Sequence, residues 1–279
     1  MCARWACWGV YWWFQGLIFT GIWVIGHECG NGAFSDYKLL NDAVGFVTPM
    51  ERDEVYVPKT RADLGLPPAD EARPVEYDEI MGDTPLYTLF MLSSSYQAKR
   101  PTLRGRIISI RNAVLLSNAG VGAMIIAVIS ASHVYSLAAV MKYYDIPRLL
   151  LTHWFIMITY LHHTTPELPH YRGREWNFQR GAAATVDRPF LGWQGRFFLH
   201  DVAHFHVVHH FFSKMPFYHG EEATKYLQAF IGEHYAYSGK PIFKALWENY
   251  NRCQFVEDEG SVLFYRDRQG RATRRAVRV

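Results

Sequence analysis

Between Trp5 and Gly26 the chain reads WACWGVYWWFQGLIFTGIWVIG, 22 residues without one charged side chain. At about 1.5 Å of rise per residue, a helix of this length crosses a hydrocarbon layer of about 30 Å. Inside such a layer the backbone must satisfy its own hydrogen bonds, which leaves helices and closed barrels as spanning structures. The run is too long and too rich in tryptophan for a secretory signal, and no small-residue cleavage site follows it. The first expectation is therefore a transmembrane helix over residues 5–26. Ala113–Val140 is a second long uncharged run, broken by Gly120, Gly122 and several serines. Its one histidine, His133, reads as an interfacial or packing residue. Ile146–Leu161 is a third apolar stretch, shorter and interrupted by Arg148 and His153. The last two form a predicted transmembrane pair over 113–161.

Basic residues orient these segments. Nine Lys and Arg fall between Glu51 and Arg111, two (Lys142 and Arg148) between Val140 and Leu161 and sixteen after Leu161, while Arg4 alone precedes the first. Residues 27–112 and everything after 161 are therefore expected on the cytosolic side. The expected fold is all-α, a multi-pass membrane helical protein in a single domain. Residues 162–256 form a cytosolic histidine-rich cap, and residues 257–279 a charged, solvated tail. A net charge of +3 is too mild to argue for nucleic acid as a partner. The four cysteines, Cys2, Cys7, Cys29 and Cys253, make no CxxC pair, which fits a reducing compartment better than a disulfide framework.

The chemistry-bearing residues are histidines. Asp201–Gly220 holds five of them, His204, His206, His209, His210 and His219. His206, His209 and His210 spell HxxHH, and positions i, i+3 and i+4 of a helix share a face. Two or three imidazoles can thus converge on one or two metal ions, and neutral imidazole suits Fe, Zn, Cu and Ni. His162 and His163 close the third apolar run, just before Pro166 and Pro169 break it. Either metal ligation or interfacial packing accounts for them, with His163 the candidate ligand. His170 reads as a loop residue. His27 and Glu28 follow the first apolar run, where His27 is either a ligand or an interfacial residue.

Several long strings carry a resemblance beyond the histidines. They are WVIGHECGNGAFSDYKLLNDAVGFV, MERDEVYVPK, DTPLYTLF, THWFIMITYLHHTTPELPHY, EWNFQRGAAATVDRPF and HVVHHFFSKMPFYHGEEATKYLQAFIGEHY. Together they resemble the membrane-bound fatty acid desaturases, closest to the delta-12 (oleate) type, over most of Trp23–Tyr235. The resemblance implies an endoplasmic-reticulum membrane enzyme with a histidine-ligated diiron centre facing the cytosol. It implies a fatty acyl lipid as substrate, membrane lipid as surroundings, and O₂ as oxidant. Electrons would come through cytochrome b5 and its NADH-dependent reductase. An alkyl C–H bond is too weakly acidic for a protein base, so a metal cofactor must supply the oxidising power. The metal ligands it implies are His27, His163, His206, His209 and His210. Glu28, Asn31, His162 and His204 are candidates for the surrounding shell, where a hydrogen bond orients a ligand ring.

The chain also departs from that family. The family's first box is HxxxH or a variant; here it reads His27-Glu-Cys-Gly-Asn31, with asparagine for the second histidine. The family's second box, HxxHH, is absent. Gly45–Val47 runs through Thr48 and Pro49 straight into MERDEVYVPK, and no histidine occurs between His27 and His133. Desaturation by this chain is therefore expected to be impaired or absent. Two alternatives stay open. One is a hydroxylase, conjugase or acetylenase on the same scaffold. The other is a non-catalytic membrane partner that dimerises with a full-length desaturase.

Overall fold

A computed structural model describes residues 2–47, 58–67 and 107–276. The join after Val47, most of the expected 27–112 loop, and the DTPLYTLF string lie outside the described residues. What is described is mainly helical and divides into two compact units. The first comprises residues 1–53 and 88–155, the second 54–87 and 156–279.

In the first unit, helix α1 (Cys2–Asn31) contains the whole uncharged run from Trp5 to Gly26. It stops because Gly32 takes a left-handed φ of 72°, and the amide of Ala33 then reaches back to the carbonyl of Glu28 at 2.9 Å. Helix α2 (Lys38–Val47) follows and lies against α1, with Gly45 close to Cys29. Helix α3 (Ile107–Tyr135) is the one helix among the described residues long and apolar enough to cross a membrane, over Asn118–Tyr135. Val121, Met124, Ile125, Ile126 and Ile129 on it are exposed, as a helix surrounded by lipid would be. Ser136 breaks the helical run at φ 93°, and its hydroxyl accepts the Ala139 amide to start α4 (Leu137–Val140). A π-helical turn, Met141–Asp145, then leads into α5 (Ile146–His163).

The first ten residues of α5 pack on α1. Gly16 allows this, since a Cβ there would sit 2.6 Å from the Cβ of Leu150. Aromatic pairs flank the close approach, Trp13 on Trp154 at 4.9 Å and Trp23 on Phe155 at 4.4 Å between ring centroids. The Trp12 indole donates to the Lys142 carbonyl at 2.8 Å, one of the carbonyls of the π turn.

The second unit begins with the end of α5. Short helices follow, α6 (Phe178–Ala183), α7 (Trp193–Phe198), α8 (His206–Phe211), α9 (Gly220–Ile231) and α10 (Ile242–Arg252). Val207 and Val208 of α8 are buried together with Leu227 of α9. Two short strands, β1 (His170–Tyr171) and β2 (Val262–Leu263), pair antiparallel. The expected solvated tail is folded over much of its length. Leu263 and Tyr265 are buried with Cys253 and Val256, and Glu257 is gripped by Arg61 and Arg266. The charge pattern of this stretch is that of a tail, but its charges find partners and its alternating apolar residues form core.

Candidate metal site

Helix α5 ends and α8 begins in the second unit, and together they bring three imidazoles to one point. His206 Nε2 lies 3.1 Å from His163 Nε2 and 3.2 Å from His210 Nε2. The ligand atoms of His163, His206 and His210 all lie within 4.8 Å of one another. Two lone pairs facing each other at about 3 Å repel, so a proton or a cation must lie between such nitrogens. Nitrogens bound at about 2.1 Å to one metal ion with tetrahedral or octahedral angles stand about 3.0–3.4 Å apart. The two separations at His206 fall in that range and the third nitrogen pair lies within 4.8 Å, so the donor set fits one metal ion.

The protein prepares these rings for that role. The Val202 carbonyl, 3.1 Å from His206 Nδ1, takes the ring proton there and leaves Nε2 with its lone pair turned to the cluster. Burial, reinforced by the neighbouring imidazoles, holds His163 and His206 well below the ordinary histidine range, so both are neutral at physiological pH. His209 stacks over His206, ring centroids 5.8 Å apart, and is outside the three-nitrogen group.

Adjacent on α5, His162 does something different. Its Nδ1 lies 2.6 Å from the Ile158 carbonyl and its Nε2 2.9 Å from the Ala203 carbonyl. Both nitrogens face backbone carbonyls, the neutral ring donates its one N–H to one of them, and the ring joins α5 to the loop before α8. The choice between His162 and His163 is thus made by a helical step of about 100°. His204 faces Asp201, Nδ1 to Oδ1 3.7 Å, and is likewise outside the group. In the first unit His27 sits near the end of α1 with Asn31 Nδ2 3.2 Å from its Nε2, so the amide donates to that lone pair. Glu28 is the next residue of the same helix.

Residues outside the three-nitrogen group shape the site, and spacing gave no sign of them. The chain enters α8 through two consecutive left-handed residues, His200 (φ 51°) and Asp201 (φ 60°). Asp187 is buried, accepts the Val207 amide at 2.7 Å and the Tyr235 hydroxyl, and is pushed up to about 6 by burial. Thr185, Arg188 and Asn249 take carbonyls at the end of α5. Thr185, Asp187 and Arg188 share the stretch TVDR, which lies inside one of the quoted strings, the available hint.

The sequence profile of the fatty acid desaturase family matches residues 78–240. The chain belongs to the fatty acid desaturase family. The Delta(12) fatty acid desaturase of Mortierella isabellina is 39% identical over 312 residues, covering 94% of this chain and 78% of that protein. The Oleoyl-12-hydroxylase of Ricinus communis is 37% identical, covering 94% and 77%. The endoplasmic-reticulum omega-6 fatty acid desaturase of Brassica juncea is 33% identical, covering 90% and 74%. In the first of these, 94% of 279 residues is about 262, against 312 aligned positions, so the fungal protein carries about 50 positions that this desaturase-family chain lacks.

The buried histidines also predict how the metal-free protein responds to acid. Burial pushes His162, His170 and His204 each down to about 4, whereas the unfolded chain protonates near pH 6.5. Their contribution to stability is complete above about pH 6.5 and is lost as the pH falls toward 4. Asp187, raised to about 6, works in the opposite sense but is one group against three. In chelator, the thermal midpoint should fall between pH 7 and pH 5. A midpoint that holds or rises would contradict this assignment.

Proposed function

We propose that this chain is a delta-12-type member of its family in the endoplasmic-reticulum membrane, with acyl lipid as the substrate class and its desaturation activity severely impaired or lost. The family reaction introduces a cis double bond into an acyl chain with O₂. The observation that carries the reading is the three-nitrogen cluster of His163, His206 and His210. It supplies a site for one iron, to which we add His209 as a further ligand. Bound iron supplies the oxidising power that an unactivated C–H bond requires, with electrons delivered from NADH through cytochrome b5. Burial keeps His163 and His206 neutral, the Val202 carbonyl holds His206 in one tautomer, and His162 anchors the helix that carries His163.

What is missing supports the loss of activity. Five imidazoles are few for two irons, Asn31 stands where a second histidine would complete the first box, and its amide occupies the His27 lone pair. The shortfall of about 50 positions against the fungal relative agrees with excision of a membrane hairpin and its HxxHH between Val47 and Met50. The membrane reading is multi-pass, with α1, α3 and α5 crossing and residues 162–256 on the cytosolic side. The surplus of basic residues after Leu161 supports that orientation.

Expression in yeast that makes oleate but no dienoic acid tests the proposal. The expected result is no linoleate above the empty-vector level, and at most one iron per purified chain. Linoleate at the level of an intact delta-12 enzyme, with two irons per chain, would refute it. The likeness to the castor hydroxylase favours one second reading, and 12-hydroxyoleate as the sole product would select it.

A further inference from the structure

Residues 185–188, Thr-Val-Asp-Arg, lie between the two histidine-bearing helices in sequence and belong to neither. All four are buried. Toward α5, the Arg188 Nε donates to the Leu161 carbonyl at 2.9 Å, and the Thr185 hydroxyl and Val186 amide donate to the His162 carbonyl at 2.9 and 3.1 Å. These are last-turn carbonyls, which a helix cannot satisfy from within. Toward α8, Asp187 Oδ1 accepts the Val207 amide at 2.7 Å, one of the first-turn donors with the same need. The Arg188 amide donates to the Ala203 carbonyl at 3.2 Å. A third segment braces the turn from behind. The Tyr235 hydroxyl donates to Asp187 Oδ2, the Asp187 amide to the Ala236 carbonyl at 3.1 Å, and Arg188 Nη1 to the Ser238 hydroxyl at 3.1 Å.

The side-chain grips on α5 and α8 fall beside rings of the cluster. Leu161 and His162 immediately precede His163, and Val207 immediately follows His206. A buried carboxylate and a buried guanidinium are costly unless their hydrogen bonds are complete, and here each makes one bond to a backbone group at a helix end and another to the hydroxyl of Tyr235 or Ser238. We propose that Asp187 and Arg188 are positioning residues for the histidine cluster: neighbours on the chain, they hold the start of α8 and the end of α5 at the separation that brings His206 and His210 to His163. This rests on the reading of that cluster as a metal site.

The test uses the full chain in detergent and Co(II) as the probe, titrated by its visible absorption. Asp187→Ala should weaken cobalt binding about 10–100-fold, the loss typical of an outer partner of a ligand. Asp187→Asn, which keeps an oxygen for the Val207 amide, should recover most of that affinity. Leu263→Ala in β2 lowers stability away from the cluster and should leave cobalt affinity unchanged. Wild-type affinity in Asp187→Ala, or a loss in Leu263→Ala that tracks its stability, would overturn the proposal. If the wild-type chain binds no cobalt, the metal reading fails and amide exchange decides the clamp. Asp187→Ala should then speed exchange at 161–164 as well as at 206–211, which Leu263→Ala should not. Faster exchange confined to 206–211 would overturn it.

Discussion

His206→Ala should abolish Co(II) binding at the cluster, with an affinity loss beyond the roughly 100-fold that removal of an outer partner reaches. His206 is the shared member, 3.1 Å from His163 and 3.2 Å from His210 through the same nitrogen. Removing it leaves two imidazoles without the ring that bridges them. His162→Ala is the matched contrast. That ring is as deeply buried, but its nitrogens face the Ile158 and Ala203 carbonyls. Its loss should lower the unfolding temperature while a cobalt stoichiometry of one survives at saturating metal. Equal loss of cobalt in both variants would show that the two histidines had been given the wrong roles.

Glu257→Ala should destabilise the second unit by about 3 kcal/mol, the low end of what breaking a buried ion pair costs. Arg61 is 5% exposed and meets Glu257 through two parallel bonds, Nε to Oε2 at 2.8 Å and Nη2 to Oε1 at 2.9 Å. Arg266 adds a third bond at 2.7 Å, and the Arg61 guanidinium lies 4.8 Å above the Phe255 ring. Alanine at 257 leaves two guanidiniums facing each other with no anion between them. The backbone of residues 59–61 is tied to Val256 at 2.9 and 3.0 Å, so the damage should spread to that clip. Denaturant unfolding in detergent measures it. A cost below about 1 kcal/mol would mean the pair behaves as a solvent-exposed one.

The histidine spacing made much of the site legible. HxxHH placed His206 and His210 on one face before any coordinates, because helical periodicity is a local property. It also placed His209 there, and the structure leaves that ring outside the three-nitrogen group. That His163 and not His162 joins the three-nitrogen group was a choice the pattern left open, since rotation about a helix axis is set by packing, here of His162 against Ala203 and Phe190. Asp187 and Arg188 were invisible for a different reason: a hydrogen bond to a backbone amide leaves no periodic trace. The tail from Glu257 was misread because its charges look solvated until Arg61, 196 positions away, is seen beside them. The uncharged run over 5–26 did become one helix, α1, since a stretch that long without charge has few other ways to satisfy its backbone.

Gly16 and Leu150 touch across more than 130 positions of sequence, so whatever lies between them is looped out of that contact. Small residues that let helices meet at close range are how membrane segments recognise one another without help from water. Material excised from the interval would shorten the loop and leave both facing surfaces as they were. A gene that lost an exon there would still make a chain able to join its first helix to its later one, and the defect would surface in chemistry before it surfaced in assembly.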